Sequence, residues 1–142
     1  MKKTIPHLHI HRHPQSPRLP LRPLRNYWLR SLTLLPHTRT ALPPTVSIHL
    51  VSLQTITALH KRFLNDPTPT DVITFHHGEI FICPAVAIEN APHYNTSPIE
   101  EIALYGLHGL LHLCGFTDTT PSKRRIMHRI QNSIHNQIRE LL

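Results

Sequence analysis

The chain has 142 residues, with Lys plus Arg outnumbering Asp plus Glu by 15 to 8 for a net charge of +7. That length suits one domain with a core of its own, spanning 1–142, so a bound metal is expected to serve chemistry rather than hold up the fold. The charge points to a polyanionic partner, and two cysteines argue against a secreted disulfide scaffold and for a reducing cytoplasm.

Fourteen histidines and fourteen prolines set the texture of the chain, so a lone histidine means little here. Residues 1–22 are a Pro/His-rich segment. His7, His9, His11 and His13 alternate with Leu8, Ile10 and Arg12, which in a strand puts all four histidines on one face. The flanking prolines restrict such a strand to a sheet edge. Its exposed histidines are expected to bind metal adventitiously at most. The basic Met1-Lys2-Lys3 start is followed by no apolar run, so a signal peptide is not expected, and no segment reads as a membrane span.

Leu24, Trp28, Leu32 and Leu35 recur at helical spacing over 23–35, and Pro36 stops that helix. Residues 45–51 read as a strand, and 55–64 as a helix with Ile56, Leu59 and Phe63 on one face. After a Pro-rich turn, 71–75 and 78–83 read as two strands joined by a hairpin, and 84–90 as a short helix. Ser97-Pro98-Ile99-Glu100 predicts a helix start with a capping box, and that helix runs to about Leu113, where Gly115 ends it. Thr120-Pro121 opens a last helix with an expected buried stripe of Ile126, Ile130, Ile134, Ile138 and Leu141. The sum is an α+β fold, a small mixed β-sheet with helices packed on it.

The chemistry concentrates in 108–118, HGLLHLCGFTD. His108 and His112 stand one helical turn apart and aim at one point. Gly115 can reverse the chain and bring Asp118 beneath them. Two nitrogens and one oxygen, with a fourth position open to solvent, describe a catalytic-type zinc site on a helix and the loop that follows it, with one ion per chain. Cys114 is expected to be a small buried hydrophobe. The spacing HxxxHxxGxxD also resembles that of the metzincin proteases. Gly109 occupies the place of their general-base glutamate, so peptide hydrolysis by that mechanism is disfavoured.

The same stretch resembles the signature of the YbeY family, HGxLHLxGYDH. His108, Gly109, Leu111, His112, Leu113 and Gly115 match it. Phe116 stands for the tyrosine, Thr117 for the aspartate and Asp118 for the third histidine. Pro69-Thr-Asp-Val-Ile-Thr-Phe75 is similar to the family's PTDVLSF, and Gly78-Glu-Ile80 to its GDI, so these motifs carry the resemblance over roughly 45–142. The resemblance implies an α+β fold and zinc held by His108, His112 and Asp118. It also implies a metal-dependent, single-strand-directed endoribonuclease acting in 3′-end maturation of small-subunit (16S) rRNA and in ribosome quality control. Implied partners are pre-rRNA, the small ribosomal subunit and its assembly factors.

Where the family tends to carry an arginine after an aromatic, this chain has Leu64 after Phe63, with Lys61 and Arg62 close by. Arg62 is the candidate for the missing catalytic cation. Lys61, Arg62, Lys123, Arg124 and Arg125 are candidates for holding the RNA backbone, against the plainer reading of solvated helix faces. Few aromatic residues are left over from the core, so extensive base stacking is not expected. Two other readings stay open: a non-catalytic ribosome-assembly factor with a structural zinc, and a metal-dependent hydrolase of another substrate, such as a peptide.

Overall fold

The computed structural model describes residues 4–142. The elements run β1 (His7–Arg12), α1 (Leu21–Leu34), β2 (Thr45–Leu50), α2 (Leu53–Leu64), β3 (Val72–Phe75), β4 (Glu79–Ile82), α3 (Pro84–Asn90), α4 (Pro98–Leu113) and α5 (Pro121–Ile138), with short 3-10 turns at Ala91–Tyr94 and Arg139–Leu141. The four strands form one mixed sheet in the order β1-β2-β4-β3. β1, β2 and β4 are parallel, and β3 returns antiparallel to β4 through the hairpin that Gly78 closes. The fold is α+β, as the alternation of patterns predicts, and β1 is an edge strand.

The two faces of the sheet differ. Leu8, Val46, Ile48, Leu50, Ile80 and Ile82 point to one side, where they meet Leu24, Tyr27, Trp28 and Leu32 of α1 and Ile102, Leu107, Leu110 and Leu111 of α4. Each fully buried Leu or Ile contributes roughly 1.5–3 kcal/mol, so this is the main core. On the other side, α2 covers only the β3–β4 end, where Ile56 packs with Val51, Ile73 and Cys83. The β1–β2 end of that face carries His9, His11 and His49.

Helix α4 lies at the centre, in contact with α1, α3, α5, β3 and β4. It approaches the sheet at Gly109, where an added Cβ would sit 2.8 Å from Ile80 Cγ2 and 2.9 Å from Thr74 Oγ1. The missing glutamate at this position therefore has a packing cause: no side chain fits between the helix and the strands. Ser97 caps α4 by accepting from Glu100 N. The capping box closes on that side only. The Glu100 carboxylate turns to His135 and Arg139, at 3.8 and 3.5 Å.

Two members of the expected buried stripe of α5 need correction. The buried stripe of α5 is Met127, Ile134, His135 and Ile138, with Ile130 partly covered. Ile126 is 49% exposed, because a strict four-residue repeat drifts around the helix and its first member leaves the core. Leu141 is also exposed, in the terminal 3-10 turn. On α2, Phe63 is 53% exposed and packs edge-on against Phe75 at the border of a groove.

A candidate metal centre in a groove

The C-terminus of α4 builds the centre. Phe116 N donates to Leu111 O and Gly115 N to His112 O, the two bonds of a Schellman cap. Gly115 takes the left-handed conformation this cap requires, with φ of 101°. The cap turns the Phe116 carbonyl back toward the helix, where it accepts from His112 Nδ1 at 2.9 Å. His108 Nδ1 is held in the same way by Gln131 Oε1 of α5, at 3.0 Å.

These two bonds fix the tautomers. Each Nδ1 faces an oxygen acceptor and carries the proton, so each Nε2 presents a lone pair. The two Nε2 atoms are 3.0 Å apart, and Asp118 Oδ2 lies 3.6 Å from His108 Nε2 and 3.9 Å from His112 Nε2. Two ligands each about 2.0–2.1 Å from a tetrahedral zinc stand roughly 3.3 Å apart, so these separations bracket the required edge. Three ligand atoms converging at this range are compatible with a metal ion among them. His108, His112 and Asp118 are, among the described residues, the group of three ligand side chains close enough to hold a metal ion. Burial, and then the neighbouring His108, keep His112 below the ordinary histidine range, in the neutral form that ligates.

The centre sits where two depressions meet, each of about 640 Å³. They share Asp71, Val72, His108 and Asp118. One continues past Phe63, Leu64, Thr74, Phe75 and His76; the other runs along Asn90, Tyr94, Tyr105, His128 and Gln131. Burial raises the Tyr105 hydroxyl to about 12, so it stays protonated beside Asn90.

The expected cations stand outside the groove. None of Lys61, Arg62, Lys123, Arg124 and Arg125 lines either depression. Arg62 lays its guanidinium against the Phe63 ring, 5.2 Å from the centroid, and Leu64 occupies the groove instead. Arg124 Nη1 donates to the Asp118 carbonyl at 3.2 Å and so steadies the metal loop. Cys114 is buried, as expected. The sequence reading missed Gln131, whose only signal was a polar side chain beside the buried stripe of α5. It also missed Asp71 and the exposed Phe63 and Tyr94, which lie on opposite sides of the triad.

The family profile described as Endoribonuclease YbeY matches residues 20–139, reaching further upstream than the short motifs do. The chain belongs to the YbeY family. Relatives named Endoribonuclease YbeY are 43% identical over 93 residues in Protochlamydia amoebophila, 37% over 94 in Elusimicrobium minutum and 35% over 109 in Corynebacterium jeikeium. These matches cover 58%, 58% and 63% of this chain and 62%, 66% and 60% of the respective relatives, so the chain spans about three-fifths to two-thirds of their length. A solution structure of a Thermotoga maritima protein shares the fold, with a TM-score of 0.60, 24% identity, and coverage of 94% of this chain and 92% of the other. Among the described residues, no helix is long and apolar enough to cross a membrane.

Proposed function

We propose that this YbeY-family chain is a zinc-dependent endoribonuclease that cuts single-stranded RNA, acting in 3′-end maturation of small-subunit rRNA in the cytoplasm. The observation that carries the reading is the triad of His108, His112 and Asp118, with both imidazole tautomers locked, lying where two depressions meet. Family membership supplies the substrate class, because the relatives are named as endoribonucleases.

Two imidazoles and a carboxylate suit zinc. When bound, the ion supplies a Lewis acid for a phosphodiester oxygen. The chain's own residues do the rest. Gln131 and the Phe116 carbonyl orient the two imidazoles. Phe63 and Tyr94, 53% and 67% exposed on either side of the triad, offer ring faces to unpaired bases, which favours a single strand over a duplex. Lys61, Arg62, Lys123 and Arg125, all exposed, are the candidates to hold the phosphate backbone.

The test is cleavage of a labelled single-stranded RNA and its duplex by zinc-loaded chain, beside His112→Ala, with casein as the control substrate. Cleavage of the single strand alone, lost in His112→Ala together with the groove zinc, is the expected result. Casein cleavage without RNA cleavage would replace the reading with a peptide hydrolase. Unchanged rRNA processing in cells carrying zinc-free His112→Ala and Asp118→Ala chains would replace it with an assembly factor.

A further inference from the structure

The N-terminal histidines do not enter the groove. They lie on the face of the sheet turned away from α4, where the strand pairing sets His11 beside His49 and His49 beside Phe81. The rings stack: His11 on His49 with centroids 4.8 Å apart, and His49 on Phe81 at 4.4 Å. His13 follows β1 and stays in register, its N–H donating to Leu50 O at 2.9 Å. That carries its imidazole to His49, with Nε2 3.0 Å from His49 Nδ1.

The other edge of His49 is committed to a carboxylate. His49 Nε2 donates to Glu79 Oε1 at 3.2 Å, and the second oxygen of Glu79 is held by His77 Nε2 at 2.8 Å. With the proton on Nε2, His49 presents a lone pair at Nδ1, the edge that faces His13. A carboxylate behind a histidine, fixing its tautomer and raising its basicity, is the arrangement that backs metal-bound imidazoles. The separation of the two facing nitrogens is close to the roughly 3.3 Å between two zinc ligands in a tetrahedral shell. Burial leads the causes that keep His49 below the ordinary histidine range, so its ring is neutral at pH 7.

We propose that His13 Nε2 and His49 Nδ1, with Glu79 behind His49, form a second site for a divalent transition metal on the uncovered face of the sheet. Two imidazoles select zinc, copper or nickel over magnesium and calcium. His11 lies alongside, stacked on His49, as a third imidazole within reach of a side-chain rotation. The site shares no ligand with the groove and does not depend on the activity assigned there.

The experiment is a titration of the chelator-stripped full chain with zinc chloride, followed by calorimetry and by NMR of the histidine ring nitrogens. Two classes are expected, one ion each. The first moves the ring signals of His108 and His112, and the second those of His13 and His49. His13→Ala lies beyond the strand end, and is expected to weaken the second class at least tenfold while leaving the first unchanged. The intact first class also reports that the variant is folded. His49→Gln is expected to do the same. A single class in the unsubstituted chain would overturn the proposal. So would a second class of unchanged affinity in both variants, which would place the ion on His7, His9 and His11.

Discussion

Each imidazole of the triad is held by one acceptor, and the acceptors come from different places. The one behind His112 is a backbone carbonyl that the Schellman cap itself presents, so it cannot be removed by side-chain substitution. The one behind His108 is the side chain of Gln131, and it can. Gln131→Ala leaves three ligands in place but frees the His108 ring to rotate and to change tautomer. Zinc affinity of the groove site is expected to fall about 10- to 100-fold, with that site still filled at saturation, by competition against a chromophoric chelator. Unchanged affinity would mean that the α4 backbone alone orients the ring. Gly109 makes a different residue-scale prediction. In an open helix, Gly109→Ala would gain up to about 1 kcal/mol from propensity. Here the methyl meets Ile80, a fully buried side chain with nowhere to move. The overpacking is expected to cost about 1–3 kcal/mol net, read as a lower urea midpoint.

At the scale of elements, α5 joins the site to the rest of the core, and it carries a titrating group of its own. His135 is buried against α1 and α4. The Tyr27 hydroxyl donates to its Nδ1 at 2.8 Å, and its Nε2 faces Glu100 Oε2 at 3.8 Å. Burial is the leading influence and lowers its pKa; Glu100 and Glu101 oppose the shift and Arg139 adds to it. A histidine lowered in the folded chain takes up its proton more readily when unfolded. Its contribution is therefore complete above the ordinary value of about 6.5 and is lost as pH falls through that value toward the folded one. His49 shifts in the same direction, also chiefly through burial. Metal-free chain is expected to lose stability between about pH 7.5 and 5.5, with His135→Gln showing a flatter profile in urea titrations. An equally steep profile in that variant would remove His135 as a source. The sequence showed that α5 exists, where it starts and that it is amphipathic. It did not show the phase of the stripe, because Ile126 and Met127 both open an apolar run and only contact with α1 and α4 chooses between them. The pairing of Gln131 with His108 was hidden for the same reason, since it joins two helices across 23 positions. His108, His112 and Asp118 were legible because helix periodicity and one glycine cap bring them together within 11 residues of chain.

The whole molecule carries +7, yet the groove is lined by Asp71, Glu101 and Asp118, and no Lys or Arg of the described residues lines it. Charge and site are therefore separated in space, and on the proposed reading a divalent cation would offset the carboxylates before a phosphate could approach. That separation assigns binding and chemistry to different residues. Lys123 and Arg125, at the exposed start of α5, are expected to hold the backbone without affecting the cleavage step. For a single strand, each phosphate contact removed lowers the slope of log K against log salt by about 0.7. Lys123→Ala with Arg125→Ala is expected to flatten that slope by about 1.4 and to raise KM for single-stranded RNA with kcat unchanged. Arg124 is left out of the pair because it steadies the Asp118 loop, and its loss would mix the two effects. An unchanged salt slope in the double variant would make these side chains a solvated helix face, and would move the phosphate path to Lys61 and Arg62.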